Sequence, residues 1–231
     1  MASRQAVLLN PRKLPVQARS ALTVDAILDA AIQVLLREGK ERLTTTRVAE
    51  RAGVSVGTLY QYFPNKSALL QAALQRHMNE VAGAVERVCR EQRGKPLMEM
   101  ATALIDAYFA AKMRDPKTSA ALYSVSSDID GWKIVQKIGQ RVHKEIAALL
   151  ATAPEQLAKD PEMIASMLQS MLNGVSRRVL ESSVPEKHFP ALREELVFLA
   201  SVYLTANMGA INVLRVSLPD RAPVSSGIVE A

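Results

Sequence analysis

Helical periodicity is the feature that most restricts how this chain can fold. Apolar residues recur every three or four positions along most of its length, as Ile27, Leu28, Ala31, Val34 and Leu35 do near the start. Ala and Leu, both strong helix formers, supply 60 of the 231 residues. The 11 prolines fall between the periodic segments, and no stretch alternates apolar with polar residues between hairpin turns. The sequence therefore predicts an all-α protein.

Capping residues and turn-forming residues set the predicted helix boundaries. Thr23 is the predicted N-cap of the first helix, and Gly39 lies where a helix commonly ends. Gly53 and Val54 separate two short helices, and Gly94 stands after a long one. The predicted helices span residues 22–37, 45–52, 55–63, 65–91, 97–114, 117–126, 130–151, 161–182 and 189–215.

Positive charge is concentrated in the first third of the chain. Residues 1–70 hold ten Lys and Arg residues against five Asp and Glu residues. Residues 71–231 hold nineteen against eighteen, so they are nearly neutral. A basic front end on a neutral body predicts a polyanionic partner at that end.

Cysteine usage and hydropathy indicate the compartment. The single Cys89 can form neither an internal disulfide nor a multi-thiolate zinc site, so we expect a buried apolar residue and a reducing cytoplasm. Residues 196–214 carry no charge and approach the length of a membrane span, but their Ser, Thr and Asn side chains favour a buried helix. We therefore expect a cytoplasmic protein without membrane association, and no residue pattern calls for a cofactor or metal.

Residues 43–67 carry the pattern of a helix-turn-helix. Thr44 or Thr45 can cap its first short helix, and Ser55 can cap the second. Gly53 takes the turn, where a positive φ angle costs glycine nothing. The positions predicted to face inward are Val48, Ala49, Ala52, Val54, Leu59 and Phe63.

The leading edge of the second short helix is the predicted reader of the DNA major groove. Its exposed set is Val56, Gly57, Thr58, Gln61 and Tyr62. Gln61 suits a bidentate contact with adenine, and Gly57 lets the helix backbone approach closely. Donors suited to phosphates are Thr45, Thr58, Tyr60, Tyr62 and Lys66. The alternative is an ordinary helix pair in which the two tyrosines are half-buried aromatics.

Residues 22–70 resemble the DNA-binding domain of the tetracycline-repressor (TetR) family. The matching pieces are Ile27-Leu-Asp-Ala-Ala31, Leu43-Thr-Thr-Thr46, Val48-Ala-Glu-Arg-Ala-Gly-Val-Ser55, Gly57-Thr-Leu-Tyr-Gln-Tyr-Phe63 and Asn65-Lys66. The resemblance implies a three-helix helix-turn-helix head and a larger C-terminal helical domain for ligand binding and dimerisation. The expected DNA-binding residues are Thr45, Thr46, Arg47, Ser55, Val56, Gly57, Thr58, Tyr60, Gln61, Tyr62 and Lys66. Val56 departs from the family, which often has a polar or basic residue there, so it either loses a phosphate contact or contacts a thymine methyl group.

Four parts make up the predicted domain organisation. They are a basic arm at 1–20, the DNA-binding head at 21–81, a regulatory and dimerisation domain at 82–218 and a flexible tail at 219–231. In the arm, Arg12, Lys13 and Arg19 either follow DNA phosphates and the minor groove or remain solvated, and the sequence favours neither.

Dimerisation is expected because a three-helix head is too small to bind DNA tightly alone, whereas two heads one helical turn apart read a palindromic operator. The apolar residues expected to pair two copies are Met163, Ile164, Met167, Leu168, Met171, Leu172, Val175 and Val179 in one helix, and Leu192, Leu196, Leu199, Tyr203 and Ile211 in the next. In the family, members usually pair through these two helices.

The family resemblance also implies a small-molecule effector that releases the DNA by binding the DNA-incompetent arrangement more tightly. We expect an aliphatic, Met-rich pocket and a hydrophobic ligand. The candidate effector contacts are Tyr108, Phe109, Tyr123, Trp132, Met167, Met171, Asn173 and Arg177, each of which is alternatively a core residue.

Three other classes of protein remain as alternatives. An enzyme is disfavoured because the chain has no Gly-rich phosphate loop, no His-x-x-x-His pair and no Gly-x-Ser-x-Gly turn. His77, His143 and His188 lie far apart and are expected at the surface or in helix packing. An architectural DNA binder and a membrane-associated protein are the other two. The favoured interpretation is a dimeric, effector-responsive transcriptional repressor.

Overall fold

The computed structural model of the protein describes residues 18–182 and 185–208, and these form a helical fold. The prediction of an all-α fold is therefore confirmed. The helices are α1 (Ala18–Arg42), α2 (Thr45–Ala52), α3 (Val56–Tyr62), α4 (Lys66–Glu91), α5 (Leu97–Met113), α6 (Pro116–Val125), α7 (Gly131–Leu150), α8 (Pro161–Leu180) and α9 (Pro185–Thr205), with a 3-10 turn at Ser126–Ile129 between α6 and α7.

Three details of the predicted helix boundaries are wrong. Thr23 does not cap α1, because the helix begins five residues earlier at Ala18. Pro190 lies inside α9, as its sixth residue, rather than between helices, so the helix lacks one backbone N–H donor there. The same helix ends at Thr205, ten residues before the predicted Arg215, and a turn at residues 206–207 follows. The 3-10 turn was not predicted.

Side-chain caps define the short helices at the front of the chain. Thr44 Oγ1 accepts a hydrogen bond from the Arg47 backbone N–H at 3.3 Å, and Ser55 Oγ accepts one from Thr58 at 3.0 Å. Asn65 Oδ1 caps α4 in the same way. Gly53 between α2 and α3 has a φ of 68°, which an L side chain rarely adopts. The sequence predicts the caps at Thr44 and Ser55 and the turn at Gly53, whereas the cap at Asn65 was not predicted.

Two hydrophobic cores share the long helix α4. The head core is formed by α1 to α3 with the first part of α4, including Leu70 and Leu74, and it also contains Leu122, Val125 and Ile129 from α6 and the 3-10 turn. The body core is formed by the later part of α4, including buried Cys89, together with α5, α7, α8 and α9. Burial raises the pKa of the Cys89 thiol to about 12, as expected of a packing residue.

Polar contacts join the head to the 3-10 turn. Lys40 Nζ lies 2.5 Å from Asp128 Oδ2, and Gln71 Nε2 donates to the Ile129 carbonyl oxygen at 2.5 Å. At Gly131, a Cβ atom would lie 2.6 Å from Leu74 Cδ2, so α7 and α4 are in close contact there. The head is thus held against the first residues of α7.

Segments of the chain that carried other predictions lie partly outside the described residues. The residues concerned that lie outside the described part are Arg12 and Lys13 of the arm, Ile211, the end of the uncharged segment 196–214 and the tail at 219–231. In the part of the chain that is described, no helix combines the length and apolar character needed to cross a membrane.

Candidate nucleic-acid interface and ligand cavity

The corner between α2 and α3 is held by small and apolar residues. Val48 and Ala49 of α2 are buried in the head core. Leu59 of α3 and Phe63 directly after it are buried in the same core. Val54 packs against the same core from the turn. Anchoring one side of α3 in this way leaves its opposite side facing solvent.

The exposed edge of α3 begins at its N-terminus. Val56, Gly57 and Gln61 are exposed, whereas Thr58 is half-buried. A Cβ atom built on Gly57 would meet nothing closer than Ser55 Oγ at 3.7 Å, an ordinary contact distance. Packing within the protein therefore does not require glycine at this position.

The hydroxyl groups near this edge form two hydrogen-bonded pairs, one between α2 and α3 and one at the N-terminus of α3. Thr45 Oγ1 lies 3.1 Å from the Tyr60 hydroxyl, and Ser55 Oγ lies 2.8 Å from Thr58 Oγ1. Tyr60 is 40 % exposed, whereas Tyr62, predicted in the exposed set, is half-buried against the head core. Thr45 with Tyr60 and Ser55 with Thr58 thus form two preorganised pairs of hydroxyl groups beside the exposed edge of α3.

The predicted basic contacts are tied to neighbouring elements. Arg47 forms an ion pair with Glu38 and donates to the Arg42 carbonyl oxygen at 3.1 Å. Lys66 is half-buried, and its Nζ lies 3.4 Å from the carbonyl oxygen of Lys40. Thr46 is exposed on α2. The structure therefore joins Thr45 to Tyr60 and Ser55 to Thr58, while Arg47 and Lys66 are held against the end of α1.

A cavity of about 410 Å³ lies in the body between α4 and the helices α5 to α8. That volume is within the range of roughly 300–1,000 Å³ that small-molecule sites occupy. Four of the predicted effector contacts line it, namely Tyr108, Tyr123, Asn173 and Arg177.

The other four predicted contacts lie elsewhere. Phe109 and Met171 belong to the body core, and Trp132 and Met167 are exposed at the surface. The expected Met-rich lining is wrong, because Met78 is the one methionine among the described lining residues. Helical spacing identifies residues on the inward side of a helix, but it does not distinguish a cavity wall from a filled core.

Sequence reasoning missed two polar residues of the cavity, His77 and Lys112. Ser119 Oγ donates its hydrogen to the Lys112 carbonyl oxygen at 2.9 Å. His77 Nε2 lies 3.1 Å from Ser119 Oγ, so the imidazole N–H is the donor of this second hydrogen bond. Burial, with nearby Lys112, lowers the pKa of His77 to about 4. Burial also lowers the pKa of the Lys112 amine to about 8. Neither residue belongs to a motif that would have revealed it.

Two leucines belong to both the cavity and the head core. Leu74 of α4 and Leu122 of α6 line the cavity and are buried in the head core. Ser126 of the 3-10 turn lines the cavity as well. The cavity and the head core are therefore directly adjacent and share these two side chains.

An apolar strip is exposed on α8 and α9. Its members are Met163, Met167, Phe198, Leu199 and Val202, each at least 43 % exposed. The Ala158 backbone N–H donates to the Asn207 carbonyl oxygen at 2.7 Å, which places the start of α8 beside the end of α9. The five side chains thus lie at the same end of this helix pair; we call them the α8–α9 strip.

Several residues that were predicted to pair two copies are instead inside the protomer. Ile164, Leu168, Leu172 and Val179 are buried in the body core, as is Leu196. Both helices are apolar on more than one side, and periodicity alone could not say which side faces the protomer's own core.

Comparisons with known proteins agree with this architecture. A model of the bacterial regulatory proteins of the tetR family matches residues 27–73, and a model of the tetracyclin repressor-like C-terminal domain matches residues 96–204. The transcriptional repressor KstR of Rhodococcus jostii is 28% identical over 166 residues, which cover 70% of this chain and 76% of that protein. The transcriptional regulator BetI of Rhizobium meliloti is 27% identical over 191 residues, covering 80% and 89%.

A solved structure shares the fold. A TetR-family transcriptional regulator from Mesorhizobium loti superposes with a TM-score of 0.69 at 16% identity, covering 83% of this chain and 100% of that one. A helix-turn-helix with an exposed second helix, carried on a helical body, is the architecture of proteins that place this helix in the DNA major groove. The chain belongs to the TetR family, as the resemblance of residues 22–70 implied.

Proposed function

We propose that this protein is a transcriptional repressor that binds a palindromic operator as a homodimer and is released by a small, hydrophobic effector. The observation that carries the proposal is the exposed N-terminal edge of α3, with Val56, Gly57 and Gln61 in solvent and Leu59 anchored behind. In this proposal Gln61 contacts the edge of an adenine. The residues that bind phosphates are Thr45, Thr46, Arg47, Ser55, Thr58, Tyr60, Tyr62 and Lys66.

The proposed division of labour follows the two cores. Residues 21–81 form the DNA-binding head and residues 82–218 the regulatory and dimerisation domain. Helix α4 supports this boundary, since Leu74 lies in the head core and Val85 in the body core. The match of the two family models to 27–73 and 96–204 also supports it.

The proposed homodimer pairs the α8–α9 strip of one protomer with that of its partner. Exposed Met and Phe side chains gathered at one end of two helices are typical of an interface rather than of scattered surface residues. Two copies related by a two-fold axis would carry two heads, as a palindromic operator requires. Occupying an operator that overlaps a promoter blocks transcription by steric exclusion.

Operator recognition is tested by selecting bound duplexes from random DNA and measuring their affinities by fluorescence anisotropy. We expect a palindrome and, for Gln61→Ala, a loss of about 1–3 kcal/mol in discrimination at one symmetric base pair. Gln140→Ala, an equally exposed glutamine on α7, is the matched control. Unchanged base preference in the Gln61 variant would show that the edge of α3 does not read DNA.

Dimerisation is tested by light scattering at micromolar concentration. Phe198→Glu places a charge in the α8–α9 strip and should give monomers with weakened operator binding, while the fold is retained because Phe198 is 60 % exposed. Trp132→Glu changes a comparably exposed aromatic, at 56 %, outside the strip and should leave the dimer intact. A monomeric wild-type protein that binds the operator normally would contradict the proposal.

A further inference from the structure

We propose that the cavity of the body takes an amphipathic monoanion, whose acid group pairs with the ammonium group of Lys112 while its apolar part fills the remaining space. The inference rests on the proposed effector function and names the chemical class of the ligand. It concerns Lys112, a residue that no sequence motif identifies.

Lys112 is a buried cation without an anionic partner. The residue is 8 % exposed, and in the described part of the chain no carboxylate lies within 4.0 Å of its Nζ. Its Nζ lies 6.0 Å from the ring centroid of Tyr108. Removing an ammonium group from water is costly unless a counter-charge compensates. A bound anion would supply that counter-charge.

The charges on the cavity wall all have the same sign. Lys112 and Arg177 are the basic residues among the described lining residues, and no Asp or Glu is among them. Arg177 donates to Glu181 at 2.7 Å, so its charge is already paired at the surface. His77 stays neutral near pH 7, since its pKa lies at about 4. Lys112 therefore supplies the unpaired charge that a ligand meets.

Other polar groups of the cavity wall bond to the protein. Tyr108 donates to Asn173 Oδ1 at 3.1 Å, and Gln169 donates to the Gly139 carbonyl oxygen at 2.9 Å. The Lys112 carbonyl oxygen accepts from Ser119. What remains of the wall is mainly apolar, with Val81, Val85, Ile138 and Leu180 among its members. Such a wall fits a hydrocarbon body that carries one acid group.

Three probes with the same number of carbon atoms in the main chain, twelve, separate charge from hydrophobicity. Dodecanoate, dodecanol and dodecyltrimethylammonium are titrated calorimetrically into the full-length protein without DNA, below their micellar concentrations. We expect dodecanoate to bind at least about tenfold more tightly than dodecanol, equivalent to about 1.4 kcal/mol, and the cation to bind most weakly. Equal binding of acid and alcohol would overturn the inference.

Substitutions then assign the preference to one amine. Lys112→Met should reduce the affinity for dodecanoate to that for dodecanol, while dodecanol binding persists and so shows that the cavity is intact. Lys112→Arg should retain the preference for the acid. Lys144→Met removes an exposed lysine of α7 outside the cavity and should change nothing. A preference for the acid that survives in Lys112→Met would refute the assignment.

Operator release is measured separately, so the two proposals can fail independently. If dodecanoate binds through Lys112 but leaves the protein–operator complex intact, the inference about the cavity stands and the effector role fails. If dodecanol releases the operator as well as dodecanoate does, the effector role stands and the monoanion inference fails.

Discussion

Replacing Gly57 with alanine should stabilise the protein and weaken its binding to DNA. Gly57 lies in the first turn of α3, and the nearest atom to an added Cβ is Ser55 Oγ at 3.7 Å. Glycine in a helix costs about 0.5–1 kcal/mol relative to alanine. Because nothing in the protein resists the methyl group, Gly57→Ala should raise the free energy of unfolding by up to that amount.

The same methyl group would stand between the α3 backbone and the DNA. If the backbone approaches the duplex at Gly57, each head must move outward or lose contacts near Val56 and Gln61. We expect operator affinity to fall at least about tenfold, or about 1.4 kcal/mol. Urea unfolding measures the stability, and fluorescence anisotropy at fixed salt measures the affinity, because protein–DNA affinity depends strongly on salt.

Gly83→Ala is the matched control for this experiment. A Cβ atom on Gly83 in α4 meets nothing within 4 Å, so the substitution should also stabilise the fold, while it lies outside the head core. Only Gly57→Ala should lose operator affinity. Gly57→Ala binding as tightly as the wild type would refute the close approach of α3, and a large loss of stability would refute the packing argument.

Three further substitutions test other parts of the molecule. Between pH 6.5 and pH 4 the unfolded chain protonates His77 but the native chain does not. On acidification across this range, the free energy of unfolding of the wild type should therefore fall by up to about 3 kcal/mol more than that of His77→Gln. Urea titrations at each pH measure the difference. Gly131→Ala puts a Cβ atom 2.6 Å from Leu74 Cδ2 and 2.8 Å from the Ser126 carbonyl oxygen, and should lower the free energy of unfolding by about 1–3 kcal/mol. Tyr60→Phe removes a hydroxyl 3.1 Å from Thr45 Oγ1 and should weaken operator binding with a stability change within about 0.5 kcal/mol.

Each of these expectations has a clear contrary result. Parallel pH profiles of wild type and His77→Gln would show that the imidazole titrates normally. An undiminished urea midpoint in Gly131→Ala would mean that α7 can move away from α4 at no cost. Wild-type operator affinity in Tyr60→Phe would exclude its hydroxyl from the interface.

The helices and the head could be predicted from the sequence because their determinants are local. Thr44 and Ser55 cap helices within three residues of themselves, and Gly53 sets the turn by its own backbone preference. Apolar spacing then orients α2 and α3, since one side of each must be buried. Local rules are therefore sufficient for residues 43–67.

The body could not be predicted in the same detail because its decisive contacts are remote in sequence. His77 meets Ser119 across 42 positions, and Tyr108 meets Asn173 across 65. Helix α8 has apolar residues on its core side and its exposed side alike, so the pattern could not separate Leu168 from Met167. The cavity exists where helices fail to fill space, and periodicity carries no information about unfilled space.

The double membership of Leu74 and Leu122 limits how the ligand preference proposed for the cavity can evolve. Substituting either residue reshapes the cavity and also disturbs the head core, so such changes are selected on two properties at once. Val135 and Ile138 line the cavity from α7 and belong to neither described core. Adaptation to new molecules should therefore accumulate along α7, where specificity can drift while the DNA-reading unit is inherited unchanged.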